Sequence, residues 1–204
     1  MGTLPLVYLV RHGQTDWNVE RRLQGQADTD INDVGRRQAT ANGELLATIV
    51  DDAQRFDFVA SPLRRTRETM ERIRAAMGLD PTDYRTDDRL KEIHFGDWQG
   101  FTYPELEVRQ PGSRARRSVD KWNFLPPGAG AETYATLALR VSDWLETLDR
   151  PTVCVAHGGV VRAVFRIVGG LSPEECAMMD VPQDRILRIE DGALVWLGGQ
   201  APSS

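Results

Sequence analysis

The residues best suited to chemistry stand in three short stretches, each where an apolar run stops. Arg11, His12 and Gly13 follow Leu4 to Val10, Ser61 and Arg65 follow Phe56 to Ala60, and His157 with two glycines follows Thr152 to Ala156. The apolar runs, rich in Val and aromatic residues, read as buried strands. Parallel strands bring their carboxyl ends to one edge, and the crevice beyond that edge is where open α/β sheets bind ligands. Two arginines and two of the chain's three histidines then converge on one compact cationic site. Arginine offers phosphate oxygens two parallel N–H donors. Arg65 falls in the first turn of a helix, where free backbone N–H groups favour an anion, and the helix after His157 supplies a second such terminus. Such a site suits a phosphate dianion.

The elements that must position these residues alternate along the chain. After the first strand comes a polar loop to Asp30, then a helix with Asn32 as N-cap running through Ala39, Leu46 and Ile49. The stretch from Ser61 predicts a helix with Ser61 as N-cap, Pro62 at its first position, Leu63, Met70, Ile73 and Met77 on one face, and Gly78 as its stop. Arg64, Arg67, Arg72 and Arg74, interleaved with Glu68 and Glu71, read as its solvated face. From Tyr84 to Gly130 the sequence is irregular, with one helical hint after Tyr103, and reads as lid-like loops over the site. Trp98, Trp122 and Trp144 read as packing residues. The run Arg114-Ala115-Arg116-Arg117 stays open between a solvated loop and a substrate-facing lid. Leu137, Val141, Trp144, Leu145 and Leu148 mark a further helix, as do Val160, Val161, Val164, Phe165 and Val168. Arg185 to Ile189 and Ala193 to Leu197 read as strands joined at Asp191-Gly192, and residues 200–204 as a loose tail. This alternation predicts a three-layer α/β/α sandwich with a mainly parallel central sheet, in one domain over residues 1–204.

Composition sets limits on the function. At 204 residues, 41% hydrophobic and 27% charged, the chain suits a soluble globular domain. Its net charge of −5 argues against a general nucleic-acid or membrane-surface binder, so any anion site must be local. Two cysteines make no disulfide framework and suit a reducing cytosol. The N-terminal apolar run is too short to span a bilayer and has no cationic flank or cleavage site, so the expected location is cytoplasmic. No metal-ligand cluster is visible, and a homodimer is compatible with all of this.

Four stretches in order resemble the histidine phosphatase superfamily, the group that contains the cofactor-dependent phosphoglycerate mutases. They are Arg11-His12-Gly13, SPLRRTRET at 61–69, LKEIHFGDWQG at 90–100 and VAHGG at 155–159, and the resemblance spans roughly residues 4–170. It implies a phosphoglycerate mutase-like fold, and for the hydrolytic reading no cofactor is expected. It makes His12 the nucleophile that becomes phosphorylated, Arg11 and Arg65 phosphate clamps, His157 a further phosphate ligand, Asn18 a phosphate-contacting amide and Glu92 the proton donor. Gln24 and Gly25 stand where the mutases have a Thr-Gly or Ser-Gly pair near substrate. His94, two residues beyond Glu92, has no motif role and reads as structural.

The chemistry agrees with those roles. Neutral imidazole attacks phosphorus without a strong base, and phosphoryl transfer needs alignment and charge neutralisation more than covalent work from the protein. The expected function is a metal-independent phosphomonoesterase acting through phosphohistidine on a small phosphorylated metabolite. A mutase must shield phosphohistidine from water under an extended cover, but only 65 positions separate Glu92 from His157. RLQGQADTDIN at 22–32 also resembles the phosphatase branch, whereas RRSVD at 116–120 resembles an arginine pair of the mutase lid, which keeps a phosphoglycerate mutase as the alternative. A non-catalytic phospho-ligand sensor is disfavoured, because a carboxylate such as Glu92 beside a dianion is repulsive unless it serves proton transfer.

Overall fold

The computed structural model describes residues 4–199. In chain order it contains β1 (Val7–Arg11), α1 (Asp16–Val19), α2 (Asp33–Ile49), β2 (Asp57–Ala60), α3 (Arg64–Ala76), β3 (Arg85–Thr86), α4 (Tyr103–Arg109), α5 (Ser113–Val119), α6 (Tyr134–Leu145), β4 (Thr152–Ala156), α7 (Gly158–Ile167), α8 (Pro173–Met178), β5 (Arg185–Glu190) and β6 (Ala193–Gly198), with short 3₁₀ turns between. The strands form one sheet in the order β3-β2-β4-β1-β5-β6. β3, β2, β4 and β1 run parallel, and β5 and β6 add an antiparallel edge.

Helices cover both faces, which is why the central strands are apolar at every position rather than at alternate ones. Val7 and Leu9 face Leu137 and Val141 of α6 and Val160 and Val164 of α7. Tyr8 and Val10 face Leu46 of α2 and Met70 and Ile73 of α3. β1 leads to a helix on one face and β4 to a helix on the other, so the crevice between their ends is a topological switch point. The ladder extends one rung past each strand: His12 N–H donates to the Ala156 carbonyl at 2.9 Å and Ser61 N–H to the Val155 carbonyl at 3.0 Å. Backbone bonding thus fixes the first residue beyond β1 and β2 against β4.

Several local expectations are corrected. β1 begins at Val7 rather than Leu4 and includes Arg11. α3 begins at Arg64, its N-cap is Leu63, and no side chain caps it. Ser61 is still one rung up the sheet, and its hydroxyl bonds His157 instead of the helix. The stretch from 84 to 130 contains α4 and α5 as well as loops. α4 lies where the helical hint after Tyr103 pointed; α5 was not expected, because seven residues dominated by arginine and serine are too few for an apolar period to emerge. α8 was likewise not foreseen, although Ser172 and Glu175 form a capping box around its start. Arg74 is not on a solvated face. It is buried, stacked 4.4 Å over the Phe58 ring, with Nε on the Asp80 carbonyl at 2.7 Å. The three tryptophans do pack in the core, Trp98 against Phe124 and Trp122 against Tyr134. The tail at 200–204 lies outside the described residues.

Candidate active site

At the carboxyl ends of β1 and β4 lies a cavity of about 240 Å³ lined by Arg11, His12, Asn18, Arg22, Leu23, Gln24, Gly25, Arg65, Glu92, Phe95, Tyr103, Arg117, Lys121, Tyr134 and Arg162. His12 is held from both sides: its N–H is on β4, and Nδ1 lies 2.8 Å from the Gly13 carbonyl. A carbonyl only accepts, so Nδ1 carries the proton and neutral His12 keeps its lone pair on Nε2. Burial, followed by the nearby Arg65 and Arg11 charges, holds the His12 pKa well below the ordinary imidazole value. Gly13 allows this turn, because a Cβ there would lie 2.3 Å from the Gly35 carbonyl oxygen on α2.

Arg65 is wholly buried. Its Nη1 and Nη2 donate to the carbonyls of Ala27 and Gly25, each at 2.7 Å, while Nε has no partner. Burial lowers its pKa to about 10, still far above neutrality, so it remains a cation. Arg11 Nη1 is tied to the Val181 carbonyl at 2.6 Å and its Nε is also unpartnered. Arg162 of α7 repeats the pattern, with Nη2 on the Met179 carbonyl at 2.9 Å and a bare, buried Nε. Removing a guanidinium from water costs several kcal/mol, and one or two neutral carbonyls recover only part of that. A bound dianion offsets the remainder, which is the physical reason to read these three side chains as an anion site.

Glu92 is seated at the start of α7. Its carboxylate accepts from Gly159 N–H at 3.0 Å and from Ile93 N–H at 2.9 Å. Gly159 makes this approach possible, since a Cβ there would stand 2.1 Å from Glu92 Oε1. Arg140, paired with Glu132 through two contacts of 2.9 and 3.0 Å, also donates to the Glu92 main-chain carbonyl and fixes the loop from behind. Asn18 lies at the end of a capping box with Thr15 that starts α1. Gln24 accepts the Thr29 hydroxyl at 3.0 Å at the cavity wall, and Gly25, in the left-handed region at φ 53°, uses its carbonyl to hold Arg65.

His157 lies behind the open cavity, its ring centroid 5.2 Å from that of His12. Nε2 is 2.8 Å from the Ser61 hydroxyl and Nδ1 is buried without a partner. Burial, then Arg65 and His12, keep its pKa well below the usual value. His94 stays out of the site: its Nδ1 accepts Gly96 N–H in a turn.

The outer wall was largely missed from sequence. Arg117 is buried, its guanidinium 5.2 Å over Phe95 and 5.7 Å from the Tyr103 ring centroid, whereas Arg114 and Arg116 are exposed. Lys121 donates to the Ala177 carbonyl, and burial with Arg117 and Arg162 lowers its pKa to about 8. Arg117 was legible in sequence only through the RRSVD stretch, and Arg162 only as a cation set among the valines of α7. A larger crevice of about 490 Å³ lies by β2 and β3, but its Arg74, Arg85 and Arg150 are bound to Asp80, Asp57 and the carbonyls of Gln54 and Arg55. Size alone therefore does not locate the chemistry. Among the described residues no group of three or more His, Cys, Asp or Glu side chains could hold a metal ion, and no helix is long and apolar enough to cross a membrane.

Comparison with known proteins gives the same family at every level. The profile of the histidine phosphatase superfamily (branch 1) matches residues 7–193. Glucosyl-3-phosphoglycerate phosphatase of Mycobacterium tuberculosis is 38% identical over 167 residues, 76% of this chain and 71% of that protein. The metal-independent phosphoserine phosphatase of Arabidopsis thaliana is 34% identical over 164 residues, 78% of this chain and 66% of that protein. The solved structure of mycobacterial glucosyl-3-phosphoglycerate phosphatase with VO3 superposes with a TM-score of 0.75 at 31% identity, covering 98% of this chain and all of that one. With the sheet, the switch-point crevice and its arginines and histidines in place, the chain belongs to the histidine phosphatase superfamily, branch 1.

Proposed function

We propose that the chain is a phosphomonoesterase, a single histidine phosphatase domain that hydrolyses a small phosphorylated metabolite through phosphohistidine at His12. The observation that carries this is the pinned tautomer: with Nδ1 on the Gly13 carbonyl, Nε2 is the nucleophilic atom, and it lies in a cavity lined by Arg11 and Arg65. In the first step Nε2 bonds to phosphorus and the P–O bond to the leaving group breaks, with Glu92 supplying the proton that the leaving oxygen takes up. In the second step water attacks phosphorus, Glu92 removes its proton, the P–N bond breaks and phosphate leaves. Arg11 and Arg65 neutralise the phosphoryl oxygens and Asn18 and His157 help to orient them, which is most of what this chemistry requires. The two arginines carry the charge stabilisation that a metal would otherwise supply, so the reaction is read as metal-independent. The two free, buried cysteines fit a reducing cytoplasm.

Gln24 and Gly25 border the substrate, and Arg117, Lys121 and Arg162 favour a phosphomonoester with a second anionic group. Arg117 also favours the second reading, a mutase, because it comes from the RRSVD stretch. The test is a screen of phosphate release over a panel of phosphorylated metabolites, with rapid acid quench of labelled substrate. We expect turnover that survives a chelator, is blocked by vanadate, leaves alkali-stable label on the His12 peptide and falls at least about 10⁴-fold in His12→Ala. Isomerisation of phosphoglycerate outrunning phosphate release would transfer the assignment to the mutase.

A further inference from the structure

The proposed mechanism makes no use of one strap of chain that supports the phosphate end of the cavity. Alternate residues from Ala177 onward meet the site: the carbonyls of Ala177, Met179 and Val181 accept Lys121, Arg162 and Arg11. Gln183 is next in this alternation and reverses the polarity. Its Nε2 donates to the His12 carbonyl at 2.9 Å and to Asn18 Oδ1 at 3.1 Å. Gln183 is itself anchored, because its own carbonyl accepts Nδ2 of the buried Asn42 on α2 at 3.1 Å.

The consequence falls on Asn18. Its Oδ1 already accepts the Thr15 N–H at 3.0 Å and the Thr15 hydroxyl at 3.1 Å, and Gln183 adds a third donor. The polar group left for the cavity is the Nδ2 amide. Rotating that amide by half a turn would set its N–H groups against the Thr15 N–H and the Gln183 amide, donor against donor, which leaves buried donors unsatisfied. We infer that Gln183 is a positioning residue of the phosphate site: it fixes the Asn18 amide with its donors toward the phosphate and holds the His12 main chain at a set distance from them. This rests on the reading that the cavity binds a phosphoryl group at His12.

The test is a double-variant cycle of Gln183→Met with Asn18→Ala, read by the affinity for vanadate and inorganic phosphate and by kcat/KM on p-nitrophenyl phosphate. Methionine keeps the unbranched shape and removes the donor. We expect Gln183→Met to weaken vanadate binding and lower kcat/KM about tenfold or more, the usual scale for one hydrogen bond to a charged group. The double variant should then lose clearly less than the two single losses combined, since the Asn18 part of what Gln183 does is already gone in Asn18→Ala. A role confined to stability would lower the melting temperature and leave vanadate affinity of the folded protein unchanged. Unchanged affinity in Gln183→Met, or fully additive losses in the double variant, overturns the inference. Gln183→Leu repeats the cycle if the methionine variant does not fold. Vanadate binding that depends on Gln183 in a protein that hydrolyses no phosphomonoester would sink the catalytic reading and leave the positioning role standing.

Discussion

The inner and outer walls of the cavity are built differently. On the inner wall, Arg65 and Arg11 are clamped by main-chain carbonyls, and His12 by a sheet bond and the Gly13 carbonyl. On the outer wall, Arg117 is held by the faces of Phe95 and Tyr103, and Arg22 is shared between Glu105 at the start of α4 and the Gly100 carbonyl. Main-chain carbonyls hold a charge in one place whatever the neighbouring side chains are. Side-chain packing between two seven-residue helices does not, because those helices share little of the main core. On the proposed reading, the phosphoryl chemistry falls on the wall held by main-chain bonds and substrate selectivity on the wall held more by side-chain packing.

That division can be broken at the inner wall first. Gly159→Ala inserts a methyl group where Glu92 Oε1 now sits and must displace the carboxylate. We expect kcat on alkyl phosphates to fall about 10²-fold, the scale of a lost general acid, with much less effect on p-nitrophenyl phosphate, whose leaving group departs without a proton. Equal losses on both substrates would mean that Glu92 only positions the phosphate.

At the outer wall the effects should be smaller and fall on KM. Arg117→Ala should raise KM about tenfold for a substrate with a second anion and leave p-nitrophenyl phosphate nearly unaffected. Lys121, with its pKa lowered to about 8, loses its charge as pH rises through that value, so KM for the dianionic substrate should climb above about pH 8. Lys121→Ala should flatten that climb. A kcat loss shared by both substrates would instead place these residues in the chemistry.

The smallest effect expected is on stability. Burial and the neighbouring cations keep His12 and His157 neutral in the folded protein, well below the ordinary imidazole pKa. Unfolded histidine protonates near about 6.5, so below that pH the unfolded chain binds more protons. The contribution of these groups to stability is complete above about pH 6.5 and is lost as pH falls toward their folded-state values. Urea midpoints measured from pH 7.5 down to 5 should drop, and the slope should shrink in His12→Asn. A slope unchanged by that substitution would show that the inner wall does not enforce neutrality.

Sequence by itself determined the parts that depend on local pattern. Continuous apolar runs marked β1, β2 and β4, and the residues at their ends, Arg11, His12, Arg65 and His157, were legible because a parallel sheet gathers those ends at one edge. Tertiary structure decided what depends on partners far along the chain. Whether Arg74 or Arg117 is buried turns on an aromatic face brought up by another element, Phe58 in one case and Phe95 in the other. The same holds for Ser61, whose hydroxyl serves His157 96 residues away rather than its own helix, and for Gln183, which reaches His12 across 171 residues. Periodicity reports which face of an element is buried; it carries no information about which polar group a folded chain sets opposite another, because that contact is fixed by the packing of whole elements.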